Sequence, residues 1–148
     1  MEESEHRAIG IATYNYCWKL LETPRRARDE DLELLTSAFA SRYHWSFTGG
    51  PQQWVIGDWM ISRAAAAIKE GSLSATFAHR ANDAAQEFEA PDWLLASCAE
   101  GLARAYAAHG NARERDGWYA VAEQLVAHIA DEESRELVAD QLLSVPRC

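Results

Sequence analysis

Residues 91–130 have the sequence PDWLLASCAEGLARAYAAHGNARERDGWYAVAEQLVAHIA, and this stretch decides the fold. Apolar and small residues recur at helical spacing in two runs, residues 95–106 and 118–129, and Gly110-Asn111 separates the runs. Because so short a break leaves room only for a tight turn, the two helices must lie side by side and antiparallel. The stretch therefore predicts a helical hairpin.

The same spacing extends over the rest of the chain and predicts an all-α fold. The chain has only 8 Gly and 4 Pro in 148 residues, and no strand-like alternation competes with the helical pattern. We expect about seven helices, at residues 5–21, 29–43, 51–71, 72–88, 91–109, 112–130 and 131–143. Gly71 is expected to end the third helix and Ser72 to cap the fourth. Residues 44–51 form the longest predicted irregular segment.

An internal repeat refines this prediction. Pro91-Asp92-Trp93 follows Gly57-Asp58-Trp59 at the period of tetratricopeptide repeats, which is about 34 residues. The fifth and sixth helices carry part of that repeat's pattern, with Leu102, Tyr106, Gly110, Tyr119 and Ala122 at matching positions. Arg115 stands where a small residue is expected, so the repeats are divergent. The sequence predicts one domain, residues 1–148, of antiparallel hairpins in a short superhelix of the tetratricopeptide type.

Several segments from about residue 40 onward resemble a family of bacterial proteins. These are His44-Trp45, Gly50-Pro51, Gly57-Asp58-Trp59 and Ser62-Arg63, followed by residues 99–105 and 129–135. The resemblance runs from about residue 40 to the C-terminus and is weaker before it. Four alanines follow Arg63 here, where family members carry bulky residues. The family is tetratricopeptide-like and has no established activity, so the resemblance implies the fold and no reaction.

The overall charge bounds the class of partner. A net charge of −9 argues against a nucleic-acid ligand, because phosphate contacts need an excess of Lys and Arg. The one basic cluster, Arg25-Arg26-Ala27-Arg28, is followed at once by Asp29-Glu30-Asp31. We expect it to be a solvated loop between helices.

The cysteines and the apolar runs indicate where the protein resides. Cys17, Cys98 and Cys148 are widely spaced and form no CxxC pair, which is typical of a reducing compartment. The start of the chain lacks a signal-peptide pattern, and no apolar run is long enough for a bilayer. We therefore expect a cytoplasmic protein that makes no membrane contact.

The histidines suggest one route to catalysis. No pair has the spacing of a helical metal site, and no phosphate-binding loop or catalytic signature is present. His44 and His79 could still converge between helices with His128 or Glu100. The sequence therefore predicts no catalytic residue, no metal and no cofactor. A small-molecule- or metal-dependent enzyme stays as the alternative hypothesis.

Charges within apolar helical surroundings indicate a second candidate site. Glu100 and Arg104 are four residues apart, in the order that favours an ion pair within one helix. Trp59 and Arg63 are also four apart, a spacing suited to cation–π stacking. These side chains either line a groove on the first helices of successive hairpins or form a structural salt-bridge network. Trp45, in the irregular segment, is expected to expose its ring to a ligand.

Together these patterns favour an interaction module over an enzyme. We expect a groove that binds a protein segment, a peptide or a second copy of this chain. The candidate groove residues are His44, Trp45, Trp59, Arg63, His79, Glu100 and Arg104.

Overall fold

A computed structural model describes residues 1–147, so that Cys148 lies outside the described residues. Within them the chain forms seven α-helices and no strand, which confirms the all-α prediction. The helices are α1 (Glu3–Leu21), α2 (Arg28–Trp45), α3 (Pro51–Ala67), α4 (Gly71–Gln86), α5 (Asp92–His109), α6 (Ala112–Ala127) and α7 (Glu132–Leu143). In this part of the chain no helix combines the length and the apolar character needed to cross a membrane.

The helices pack as three hairpins, α1–α2, α3–α4 and α5–α6, and α7 covers the last one. The odd-numbered helices contact one another in sequence, α1 to α3, α3 to α5 and α5 to α7. The even-numbered helices lie farther apart and meet through side chains, such as the rings of Phe39 on α2 and Phe77 on α4, whose centres are 5.4 Å apart. Because the odd-numbered layer is the tighter one, the stack curves into a short superhelix with α1, α3, α5 and α7 on its concave side.

Burial of apolar side chains between these two layers holds the hairpins together. The largest fully buried apolar side chains come from α2, α3, α5 and the connection between α6 and α7, namely Leu34, Met60, Ile61, Leu94, Leu102 and Ile129. Each such side chain contributes roughly 1.5–3 kcal/mol relative to an exposed one. The concave surface is therefore built on a rigid base.

The turn between α3 and α4 differs from the prediction. Gly71 does not end the third helix, because α3 ends at Ala67 and Gly71 is the first residue of α4. Glu70, not Ser72, occupies the N-cap position. A Cβ atom on Gly71 would lie 2.5 Å from the Cα atom of His109. The glycine therefore allows the start of α4 to approach the end of α5.

A lysine takes the left-handed position at the end of α3. Lys69 has a φ of 65°, and its amide donates to the carbonyl of Ala66 at 3.1 Å. The next amide, of Glu70, donates to the carbonyl of Ala65 at 2.8 Å. This is the Schellman arrangement, whose left-handed position is usually glycine because a Cβ atom is strained there.

The irregular segment is also shorter than predicted. α2 continues through His44 to Trp45, and the connection to α3 covers residues 46–50 only. The amide of Ser46 still donates to the carbonyl of Arg42 at 3.2 Å, so the helical hydrogen bonds extend through the aromatic residues. His44 and Trp45 are therefore held on a helix and not in a loop.

The two Asp-Trp pairs have the spacing of a tetratricopeptide repeat, but they do not occupy equivalent positions of successive hairpins. Asp58 lies in the middle of α3, where it pairs with Arg42 of α2 and Arg80 of α4, both at 3.0 Å. Asp92 is the first residue of α5 and accepts a hydrogen bond from the amide of Ala130. The two aspartates thus make different structural contacts.

The hairpins instead repeat with a longer period, which the starts of their helices define. The corresponding helices α3 and α5 begin at Pro51 and Asp92, and α4 and α6 begin at Gly71 and Ala112. The two helix-ending turns follow the same period, since Lys69 and Gly110 both have positive φ. The second and third hairpins are therefore structural copies with a longer repeat than the sequence pattern suggests.

Candidate functional site

Glu100 lies at the centre of the concave layer, on α5, and its side chain is 0% exposed. Its Oε1 atom accepts a hydrogen bond from Nε of Arg104 at 2.8 Å, so the predicted ion pair within the helix is confirmed. The same oxygen accepts from Nη1 of Arg63, on α3, at 3.4 Å. Oε2 accepts no hydrogen bond from the residues that the structure describes. One buried carboxylate thus joins two guanidinium groups.

Arg63 packs against two neighbouring indole rings, whose centres are 6.0 Å apart. Its guanidinium carbon lies 5.6 Å from the ring centre of Trp59, which confirms the predicted cation–π contact, and 5.1 Å from that of Trp18 on α1. Burial, together with the nearby positive charge of Arg104, lowers the pKa of Arg63 to about 10. The contacts of the Arg63 guanidinium within the protein therefore do not fully replace the hydration that it would have in water.

Arg104 extends the network to the last helix. Its Nη2 atom donates to the carbonyl of Gln141 at 2.9 Å and to Oγ of Ser144 at 2.7 Å. Together with Arg63 and Glu100, these bonds link α3, α5 and the C-terminal end of α7. The three charged residues form a network that fixes how the odd-numbered helices pack, and this network divides two cavities on the concave face.

The first cavity, here called the aromatic groove, has a volume of about 580 Å³. All four odd-numbered helices contribute to its lining, which includes Tyr14, Trp18, Trp59, Trp93, Leu137 and Val138. The Tyr14 hydroxyl is neutral at physiological pH, and burial raises its pKa further above the ordinary value. The groove is thus a ring-rich, mostly apolar surface with a few polar groups and one charged residue, Glu22, in its lining.

The second cavity, here called the cationic cavity, has a volume of about 500 Å³. Four cations line it: Arg26, Arg63, Lys69 and Arg104. The remaining wall is small and apolar, made by Leu21, Ala66, Ala67, Ala107, Ala108 and Pro146. No described Asp or Glu belongs to its lining, although the chain as a whole carries a net charge of −9.

Trp45 does not expose its ring to a ligand, so this expectation is wrong. The side chain is 9% exposed, and the ring packs so closely on α1 that a Cβ atom on Gly10 would lie 2.8 Å from its Nε1 atom. Its carbonyl accepts a hydrogen bond from the indole of Trp54 at 2.7 Å. Because α2 continues through this residue, the ring points into helix packing and not into a loop.

His44 and His79 lie in two separate clusters away from Glu100. Nδ1 of His44 shares a hydrogen bond with Nδ1 of His6 at 2.9 Å. Nε2 of His79 shares one with the hydroxyl of Tyr106 at 2.7 Å. Residues 1–147 contain no group of three or more His, Cys, Asp or Glu side chains placed to hold a metal ion. Of the seven candidate residues, the structure brings together Trp59, Arg63, Glu100 and Arg104.

Sequence reasoning missed two cations of the second cavity. Arg26 lies in the predicted loop, but its side chain is only 15% exposed: Nη1 donates to the carbonyl of Leu20 at 3.2 Å and Nε pairs with Asp31 at 2.7 Å. Arg25 and Arg28, on either side, are exposed as predicted. Lys69 lies near a predicted helix end, and nothing in the sequence around it indicates a binding site. Only the packing of α1, α3 and α5 brings these charges together.

Comparison with known proteins adds no relative, since no family model, curated protein sequence or solved structure matches this chain.

Proposed function

We propose that this chain is a helical-hairpin binding module of the tetratricopeptide type that holds a segment of a partner protein in its aromatic groove. One observation carries the proposal: a cavity of about 580 Å³ lies on the concave face and is lined from α1, α3, α5 and α7 together. Ligand sites in proteins are concave, mostly apolar and of this size. A groove that every hairpin helps to build is the natural binding surface of a helical superhelix.

The rings of the groove determine what kind of side chain it suits. Trp18 and Trp93 are partly exposed and offer rigid apolar surfaces, whereas Trp59 lines the groove with only 6% of its surface exposed. Such rings dominate the binding energy of protein interfaces. The indole N–H of Trp59 already donates to the carbonyl of Ser97 at 3.0 Å, so this residue has its ring and not its N–H to offer. A large apolar side chain of the partner therefore fits better than a charged one.

Leu137 marks the open edge of the groove. It lies on α7, lines the cavity and is 60% exposed, so its apolar side chain is accessible to a partner. Ser134 and Gln141, on the same helix, supply polar groups beside it. An apolar base with a polar edge suits a helical or extended segment laid across the odd-numbered helices.

Peptide selection tests the proposal. A library of short random peptides is selected against the wild-type protein, and binding of the enriched peptides is then measured by tryptophan fluorescence. We expect them to share a large apolar residue, and the variant Leu137→Asp should bind them at least tenfold more weakly, because it places a charge at the groove. Leu143→Asp is the matched control, since Leu143 is on α7 and 75% exposed but is not part of the lining.

Analytical ultracentrifugation distinguishes a second copy of this chain from another partner. A wild-type dimer that Leu137→Asp converts to a monomer would identify the occupant as a second copy. If the protein stays monomeric at high concentration and no peptide is enriched, the proposal is wrong. It is equally wrong if Leu143→Asp weakens binding as much as Leu137→Asp.

A further inference from the structure

The cationic cavity collects positive charge from four separate parts of the fold. Arg26 lies in the connection between α1 and α2, Arg63 on α3, Lys69 in the turn before α4, and Arg104 on α5. Side chains so distant in sequence meet only because α1, α3 and α5 end at the same side of the stack. The cluster is therefore a product of the tertiary structure.

Carboxylates compensate only part of this charge. Asp31 pairs with Arg26, and Glu100 pairs with both Arg63 and Arg104. Two carboxylates therefore neutralise only part of the charge of four cations. Arg63 makes a single hydrogen bond within residues 1–147, at 3.4 Å, which leaves most of its donors without an acceptor. In the same part of the chain the ammonium group of Lys69 has no ion-pair partner within 4.0 Å. Counted over residues 1–147, the cavity thus has two positive charges in excess.

The backbone at Lys69 adds an independent observation. Its left-handed φ of 65° is one that glycine adopts freely and a lysine only at a cost in free energy. The equivalent position of the next hairpin is glycine, Gly110, with a φ of 79°. The chain therefore carries a strained lysine at the edge of the cavity where glycine would satisfy the turn.

We infer that the cationic cavity binds a small phosphate-bearing ligand, through its phosphoryl dianion. The excess of two positive charges matches a phosphate monoester, which carries about −1.5 to −2 near neutral pH. Planar guanidinium groups such as that of Arg63 bind phosphoryl oxygens in pairs, and Lys69 adds a point charge. A volume of about 500 Å³ also leaves room for an organic portion against the four alanines of the wall.

This site is separate from the proposed peptide groove. Leu137 and Trp93 line only the aromatic groove, whereas Lys69 and Arg26 line only the cationic cavity. Variants of the first pair should leave phosphate binding unchanged, and variants of the second pair should leave peptide binding unchanged. Failure of one proposal can therefore be told from failure of the other.

Calorimetric titration at low ionic strength tests the inference with phenyl phosphate, inorganic phosphate and benzoate as probes. We expect phenyl phosphate to bind at least tenfold more tightly than benzoate. Its affinity should fall at least fivefold between pH 7.5 and pH 5, because the second phosphate pKa is about 6. Inorganic phosphate tells the two sources of the dianion apart: tighter binding than phenyl phosphate indicates the free ion, and weaker binding indicates an ester.

Two lysine variants give the matched comparison. Lys69→Gly removes the charge while keeping the turn, since glycine is the residue that such a turn prefers, and it should weaken phenyl phosphate binding at least tenfold. Lys19→Ala removes the same charge from an exposed position of α1 outside the cavity and should change the affinity less than twofold. Equal losses in both variants would overturn the inference, as would equal binding of benzoate or the absence of any binding heat with millimolar phenyl phosphate.

Discussion

Arg63 and Arg104 occupy equivalent positions of successive hairpins, and both bind the same oxygen atom, Oε1 of Glu100. The repeat thus places one arginine from each of two hairpins against a single buried carboxylate. This arrangement stabilises the concave layer only while the carboxylate is charged, because it is the only acid in contact with either arginine among residues 1–147. The positions of both guanidinium groups at the cationic cavity therefore depend on one carboxylate.

Loss of the Glu100 charge should destabilise the protein strongly. Glu100→Gln keeps the shape of the side chain but leaves two half-buried guanidinium groups without a counter-charge, and we expect a loss of about 3–5 kcal/mol in the free energy of unfolding. Urea denaturation measures it. The control is the triple variant Arg63→Met, Glu100→Leu, Arg104→Met, which removes every charge and should lose less. A single variant within about 0.5 kcal/mol of wild type would contradict this account.

The two left-handed turn residues should respond to substitution in opposite directions. Lys69→Gly removes the Cβ atom that makes a φ of 65° unfavourable. We expect it to stabilise the protein by about 0.5–1 kcal/mol. Gly110→Ala introduces that strain at a φ of 79° and should destabilise by a similar amount, since no atom lies within 4 Å of the new Cβ. Thermal and urea denaturation of both variants check the pair. Changes of the same sign would show that packing outweighs the turn.

Local signals in the sequence predict the helices and the contacts within one helix. Helical spacing and a scarcity of glycine and proline are properties of neighbouring residues, so all seven helices could be predicted. The contacts of Glu100 with Arg104 and of Trp59 with Arg63 follow from a separation of four residues, and both are confirmed. Such predictions need no knowledge of how the helices pack.

The remaining features depend on packing between helices. The repeat pattern in the sequence pairs Asp58 with Asp92 by identity alone, although one lies within a helix and the other begins one. Arg26 and Lys69 are ordinary surface residues by sequence, and they join Arg63 only where three helices end together. The sequence places Trp45 in an irregular segment, whereas this residue ends α2 and its ring is buried against α1.

The close approach of α4 to α5 predicts a large difference between two glycines. Gly71→Ala would place a Cβ atom 2.5 Å from Cα of His109, a backbone contact that cannot move aside, and should destabilise by about 2–3 kcal/mol. Gly117→Ala is the matched control. Its Cβ would meet no atom within 4 Å on an exposed turn of α6, so it should stabilise by about 0.5–1 kcal/mol. Equal effects, measured by thermal denaturation, would show that α4 and α5 can separate freely.

The buried thiols predict a loss of stability at alkaline pH. Burial raises the pKa of Cys17 and of Cys98 from 9.0 to about 12. The unfolded chain therefore releases these protons first as the pH rises. The stability that the two protonated, buried thiols contribute is fully present below pH 9 and is lost between pH 9 and about 12. At pH 10.5 each thiol should lower the free energy of unfolding by roughly 2 kcal/mol relative to pH 8.

Urea denaturation at pH 8 and at pH 10.5 measures this effect, with Cys148→Ser in every protein so that only the two buried thiols differ. The control is the additional pair Cys17→Ala and Cys98→Ala, because alanine has no proton to lose. Its own alkaline decline, caused by other groups such as Tyr14, is subtracted from that of the parent. The parent should lose more stability than the alanine variant over this interval. Parallel declines would contradict the prediction, because they would mean that both thiols ionise in the folded protein as easily as in the unfolded chain. Side chains that are 0% and 1% exposed should resist ionisation.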